Sequence, residues 1–180
     1  MDVKIKKLQA GISFGMIVLF LVTLAIACGG DSKGTVENGK PAMTYKVGDI
    51  IKTGKFEIKV SSVKVRKSVG GEFLSEKAAD GASFICVNFQ YKNISKEPTS
   101  SAVKVKHLLD PNGTKYDEAS GASIHYQTEN NFNTKVLSDV NPGITIKDGE
   151  VFEVANELWK NKGWKAVLDT DDDDVEVSIN

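Results

Sequence analysis

The stretch "SFICVNFQYKN", Ser83–Asn93, decides the fold of this chain. Its side chains alternate: Ile85, Val87, Phe89 and Tyr91 fall on one face at a period of two, with Phe84 and Cys86 partly covered on the other. β-Branched and aromatic residues at that period are the mark of a strand, and apolar residues on both faces put this strand at the centre of a sheet. Cys86 reads as a buried strand residue rather than a reactive thiol.

The neighbouring segments share the period. In "FEIKVSSVKVRK" the inward set is Phe56, Ile58 and Val60, then Val63 and Val65, so parity changes across Ser61-Ser62. Both sets can stay on one face only with an extra residue, which predicts a β-bulge or a break there. "AVKVKHLLDPNGTKY" is a strand closed by a turn at Asp110-Pro111-Asn112-Gly113. "EVFEVANELW", "GWKAVLDT" and "VEVSIN" are three further strands, whereas "GASIHYQTENNFNTKVLSDV" has no clear period and reads as a long connection over one end of the fold. No segment shows a convincing amphipathic helix. About seven strands with turn signals between them indicate an all-β, immunoglobulin-like antiparallel β-sandwich, without the Cys-Trp-Cys pattern of antibody domains.

Composition changes abruptly before residue 44. Lys4, Lys6 and Lys7 precede an uncharged run from Ile12 to Ala27. At ~1.5 Å per residue that run extends about 24 Å, short of a ~30 Å bilayer core, and a basic region followed by a short apolar one is a signal-peptide layout. Ala25-Ile26-Ala27-Cys28 resembles a bacterial lipobox, in which the cysteine thiol takes a diacylglycerol before cleavage leaves it first in the mature chain. Two or more acyl chains hold a protein durably where one does not. The expected organisation is therefore a lipoprotein signal peptide at 1–27, the lipidated Cys28 and a flexible linker at 28–43, and the sandwich at 44–180. "GGDSKGTVENGKPAM" supplies the linker, with a reach of roughly 20 Å at ~5–6 Å × √n. The alternative is an uncleaved anchor, since counting from Leu8 gives a run just long enough to span.

The full chain carries a net charge of −1; removing residues 1–27 takes away three lysines and one aspartate and leaves −3. An exported, net acidic chain lacks the clustered positive charge that nucleic-acid binding requires, so nucleic acid is excluded as a partner.

In their order, "YKVGDIIKTGKFEIKVSSVKVRKSVGG", "FICVNFQYKN", "LLDPNGTKYD", "DVNPGITIKDGEVFEV" and "GWKAVLD" resemble a bacterial immunoglobulin-like lipoprotein family of unknown function. That family is grouped with secreted immunoprotective antigens and sometimes mislabelled as telomeric-repeat-binding. The resemblance covers roughly Tyr45 to Ile179 and is carried by Val47-Gly48-Asp49, Tyr91-Lys92-Asn93 and Asn141-Pro142-Gly143. It implies an exported, tethered β-sandwich without established enzymatic activity, and hence no catalytic residues to transfer.

Direct inspection finds no nucleophile elbow and no local Ser-His-Asp spacing. His125 and Glu129 are four apart, which brings ligands together only in a helix, and "IHYQTEN" reads as non-helical. The sharpest polar cluster is "DTDDDD", Asp169–Asp174. Asp169, Asp171 and Asp173 alternate and could offer hard oxygens to calcium, but an EF-hand also needs glycine at its sixth position and glutamate at its twelfth, where this chain has Asp174 and Asn180. A solvated turn is the competing reading. Lys52, Lys55, Lys59, Lys64, Arg66, Lys104 and Lys106 fall on outward strand positions.

The sequence thus points to a non-enzymatic, cofactor-free module, lipid-anchored outside a bacterial cell membrane, that binds an unidentified protein or envelope ligand, with an aromatic patch around Tyr126 and Phe132. The alternatives are an envelope structural or stress accessory without a discrete ligand, a weak divalent-cation binder, and an enzyme built on His107 or His125 meeting a carboxylate or serine in a cleft.

Overall fold

The computed structural model describes residues 44–100, 103–133 and 138–180. The leader expected at 1–27, the linker at 28–43 and Cys28 lie outside these residues. In chain order the elements are β1 (Tyr45–Lys46), β2 (Ile51–Lys52), β3 (Phe56–Arg66), β4 (Ser68–Gly70), β5 (Ser75–Lys77), β6 (Ala82–Asn93), β7 (Thr99–Ser100), β8 (Lys104–Leu109), β9 (Lys115–Tyr116), α1 (Ser120–Glu129), β10 (Asp139–Val140), β11 (Thr145–Ala155), α2 (Asn156–Trp159), β12 (Lys165–Asp169) and β13 (Val175–Ser178). They form a β-sandwich of two principal sheets, ordered β1-β13-β12-β8-β9 and β11-β6-β3-β2. Pairing is antiparallel except for β1 against β13. Two small antiparallel pairs, β4 with β5 and β7 with β10, complete the described strands.

β6 is central, as its sequence requires: it pairs with β3 on one side and β11 on the other, along eleven residues of β11. Ile85, Val87, Phe89 and Tyr91 face the inter-sheet core, where they meet Val105, Leu108, Ala166, Leu168 and Val177 from the opposite sheet. Trp164 fills one end of that core between Tyr116 and Trp159, at ring separations of 5.0 and 5.2 Å. Burying aromatic surface of this size is among the largest single contributions to such a core. The bulge expected at Ser61-Ser62 is present: Val60 opposes Phe89 and Ser62 opposes Asn88, leaving Ser61 as the extra residue. Val63 stays on the core face, partly buried, but Val65 is 53% exposed.

The strand expected over "EVFEVANELW" ends at Ala155, and its last four residues form the helix α2. Two further expectations, both on the outer sheet face, are corrected. "SGASIHYQTE" is helical, forming α1, and Phe84 and Cys86 are fully rather than partly buried. The two corrections have one cause. α1 lies across the outer face of β6 and β11 beside β4, and its buried Ala122 and Tyr126 close a second core with Val69, Phe84, Cys86 and Val151. That helix buries only Ala122, Ser123 and Tyr126, two of them small and one polar, so it carries no hydrophobic period in the sequence. Tertiary packing stabilises it in place of amphipathicity.

The three motifs that carry the family resemblance are joints of this fold. Gly48, at φ 98°, donates its N–H to Val60 O, and Asp49 accepts from Lys46 N at 2.8 Å, which carries the chain from one sheet to the other. Asn93 is fully buried; its amide donates to Val140 O at 2.7 Å and its backbone carbonyl accepts from Gly143 N. "YKN" and "NPG" therefore meet in space.

A candidate binding cleft on the outer sheet face

α1 covers only half of the outer face of the β11-β6-β3-β2 sheet, and a cleft opens where its cover ends. On β6 the outward residues run Phe84, Cys86, Asn88, Gln90, Lys92, apolar beneath the helix and polar beyond it. The Ser61 bulge lies at the changeover, and Ser61 Oγ donates to Asn88 O at 3.1 Å. The Asn88 side chain is satisfied on both sides: its amide donates to Ser62 Oγ at 2.9 Å and its oxygen accepts from Tyr126 O–H at 3.0 Å. Burial pushes the Tyr126 phenol above its ordinary pKa, so it remains a donor.

The cleft wall is the chain leaving α1. Asn131 takes φ 50°, which turns Phe132 back against Tyr126, edge-on at 6.0 Å. Asn133 then accepts from Lys147 N at 2.7 Å, pinning the segment to the edge of β11. Gly149 makes room for this: a β-carbon there would stand 2.7 Å from Phe132 and 3.0 Å from Tyr126. The resulting cleft holds about 270 Å³, with Lys64, Lys147 and Asp148 among its lining side chains; Asp148 accepts from Gln127 Nε2 at 3.0 Å and from Gly149 N at 2.7 Å. A second cleft of about 170 Å³, lined by Lys59, Gln90, Lys92, Glu57, Thr145 and Ile50, adjoins it at Gln90. Among the described residues none of Lys59, Lys64, Lys92 and Lys147 forms an ion pair within 4.0 Å; Glu57 pairs with Lys52 at 3.8 Å. The outward lysines of the sequence reading thus gain two more members, Lys92 and Lys147. The clue was the alternation of Asn88, Gln90 and Lys92 with core residues in β6.

The expected aromatic patch is not exposed at this place: Tyr126 is fully buried and Phe132 partly so. Among the described residues the most exposed apolar pair is instead Phe73 (93%) and Leu74, in the turn joining β4 and β5. His125 and Glu129 do share a helix, but Glu129 is engaged by Arg66 Nη2 and Gly70 N, both at 3.0 Å. His107 is buried on β8, where burial holds its imidazole below the ordinary pKa. Neither histidine lines the two clefts.

The acidic turn between β12 and β13 is fastened to its surroundings. Asp169 is 3.8 Å from Lys104, Asp171 accepts from Thr53 Oγ1, Asp172 accepts from Gly54 N at 2.8 Å, and Asp174 pairs with Lys106 at 2.9 Å. The backbone carbonyl of Asp173 accepts from Thr170 Oγ1. Among the described residues no group of three or more His, Cys, Asp or Glu side chains is placed to hold a metal ion, so Asp169, Asp171 and Asp173 are not gathered about one point.

Residues 45–157 match the family described as a domain of unknown function, DUF4352, and the chain belongs to that family. It is 38% identical over 130 residues to the uncharacterized protein YxkC of Bacillus subtilis, covering 71% of this chain and 72% of that one. Among solved structures, a conserved hypothetical protein from Bacillus anthracis superposes with a TM-score of 0.63 at 27% identity, over 73% of this chain and 94% of the other. An uncharacterized β-sandwich protein from Clostridium difficile superposes at 0.51 with 15% identity, over 80% and 99%, a likeness of fold alone.

Proposed function

We propose that this chain is an exported, lipid-anchored and non-catalytic binding module of the bacterial cell envelope, grouped with the secreted immunoprotective antigens. Cys28 carries the lipid, residues 28–43 act as a tether, and the sandwich presents its outer sheet face to a ligand. One observation carries the binding part of this reading. The uncovered half of that face is a cleft with a fully hydrogen-bonded polar floor, Asn88 held by Tyr126 and Ser62, and with Lys64 and Lys147, which form no described ion pair, in its lining beside the buried carboxyl of Asp148. A floor whose geometry is fixed before a ligand arrives reduces the ordering cost of binding. The basic leader, the short apolar run and the small residues before Cys28 support the anchoring part.

The test is photo-crosslinking in intact cells, with a photoreactive side chain placed at Gln90 in one strain and at Lys160, just after α2, in another. The expected result is a discrete adduct from position 90 that is absent from position 160. In parallel, the Cys28→Ser chain loses its membrane association. Indistinguishable adducts from the two positions would refute the binding site; a Cys28→Ser chain that stays fully membrane-bound and unshortened would refute the anchor.

A further inference from the structure

We propose that the occupant of this cleft is an extended anionic polymer, lying along β6 and held by Lys59, Lys64, Lys92 and Lys147. The inference rests on the binding reading above but not on the anchor. Strand register fixes where the four lysines rise. Lys59 and Lys147 flank Gln90 in one row, so their backbones are about 10 Å apart at ~4.8 Å per strand. Lys92 lies in the row of Glu57 and Thr145, roughly 7 Å along from Gln90, and Lys64 opposes Cys86, six residues from Lys92 or about 20 Å at ~3.4 Å per residue. The four backbones are spread over about 20 Å of strand, a spacing that a chain with anionic groups at intervals matches.

The surroundings favour a narrow chain over a flat bilayer. Lys59, Lys64, Lys92 and Lys147, with the carboxyls of Glu57 and Asp148, line a trough bounded by Asn130 and Phe132 at one end and Ile50 at the other. Net charge conceals the site, since the whole protein is slightly acidic and its positive charge is concentrated locally.

The experiment uses the full chain in neutral detergent and inorganic polyphosphate as probe, with binding measured by calorimetry at low and moderate salt. Wild type is expected to bind with an affinity that falls as salt rises. Lys59→Gln/Lys147→Gln is expected to weaken binding at least tenfold and to flatten the salt dependence by about one to two units of log–log slope, at ~0.7 per phosphate contact for a single strand. Lys160→Gln/Lys162→Gln, both just after α2, should change neither. Absence of binding would overturn the proposal, as would an equal loss in both double variants. So would competition by orthophosphate or glycerol 1-phosphate as effective as polyphosphate at equal phosphate, because a small anion or a lipid headgroup would then suffice. A position-90 adduct in cells together with no polyphosphate binding would refute the polymer and leave the binding module standing.

Discussion

Glu150 should make this protein less stable as pH rises through neutrality, and Glu150→Gln should abolish that dependence. The residue lies on β11, is 8% exposed, and accepts the Val105 N–H at the seam between the two sheets. β9 pairs with β8 only at Leu108 and Leu109, so Val105 has no strand partner on that side and the carboxyl takes the place of one. Burial first, then the charge of Glu118 and to a smaller extent Asp148, push the carboxyl up to about 9; the Val105 hydrogen bond and Lys104 oppose the shift. A folded pKa above the unfolded one means that the native state holds the proton more tightly. The contribution is therefore complete below the unfolded pKa of about 4.5 and is lost as pH climbs to about 9. At ~1.4 kcal/mol per pKa unit the loss is roughly 3 kcal/mol by pH 7 and about 6 kcal/mol by pH 9. Glutamine keeps an acceptor for Val105 and does not titrate. Urea unfolding of the full chain at pH 5, 7 and 9 should show Glu150→Gln near wild type at pH 5, more stable by about 1–3 kcal/mol at pH 7, and further ahead at pH 9. Glu150→Leu, which orphans the Val105 N–H, should fall below Glu150→Gln by about 1–3 kcal/mol at every pH. A Glu150→Gln variant whose stability tracked wild type in parallel across the three pH values would refute the reasoning.

Gly149→Ala should cost about 1–3 kcal/mol in urea unfolding, because its β-carbon meets the Phe132 ring at 2.7 Å; combining it with Phe132→Ala should cost less than the sum of the two. Tyr126→Phe removes one of the two partners of the buried Asn88 side chain and should cost about 1–2 kcal/mol by the same measurement. Burial pushes the Cys86 thiol up to about 12, so iodoacetamide at pH 8 should leave it unmodified in the native protein and alkylate it fully in urea. The backbone N–H of Thr114, with that of Asn112, holds the Asp110 carboxyl below its ordinary pKa. Its contribution is present above the unfolded pKa and lost as pH falls through the folded one, so Asp110→Asn should flatten the acid limb of the stability–pH curve.

The parts of this molecule that were legible in its sequence are those where one residue type does one job at a fixed period. β6 declared itself by two-sided apolarity, the bulge by a parity change that no regular strand can absorb, and the Asp110 turn by side-chain chemistry that closes a loop within five residues. α1 was illegible because it answers to a surface supplied elsewhere: Phe84, Cys86 and Val151 are brought together only once β6 pairs with β11, and Ala122, Ser123 and Tyr126 meet that surface without forming an apolar stripe of their own. The cleft inherits the same difficulty, since it begins where the helix stops. Its polar row was nevertheless written in β6, where the outward face changes from Cys86 to Asn88. A strand that is apolar on both faces for half its length and on one face for the rest specifies a partial cover, and the edge of a partial cover on a sheet is a step. Here Asn131 and Phe132 form the riser of that step and Gln90 its tread. The motifs that carry the resemblance fix the joints Gly48, Asn93 and Gly143 rather than this step, so they describe the scaffold and not the cleft.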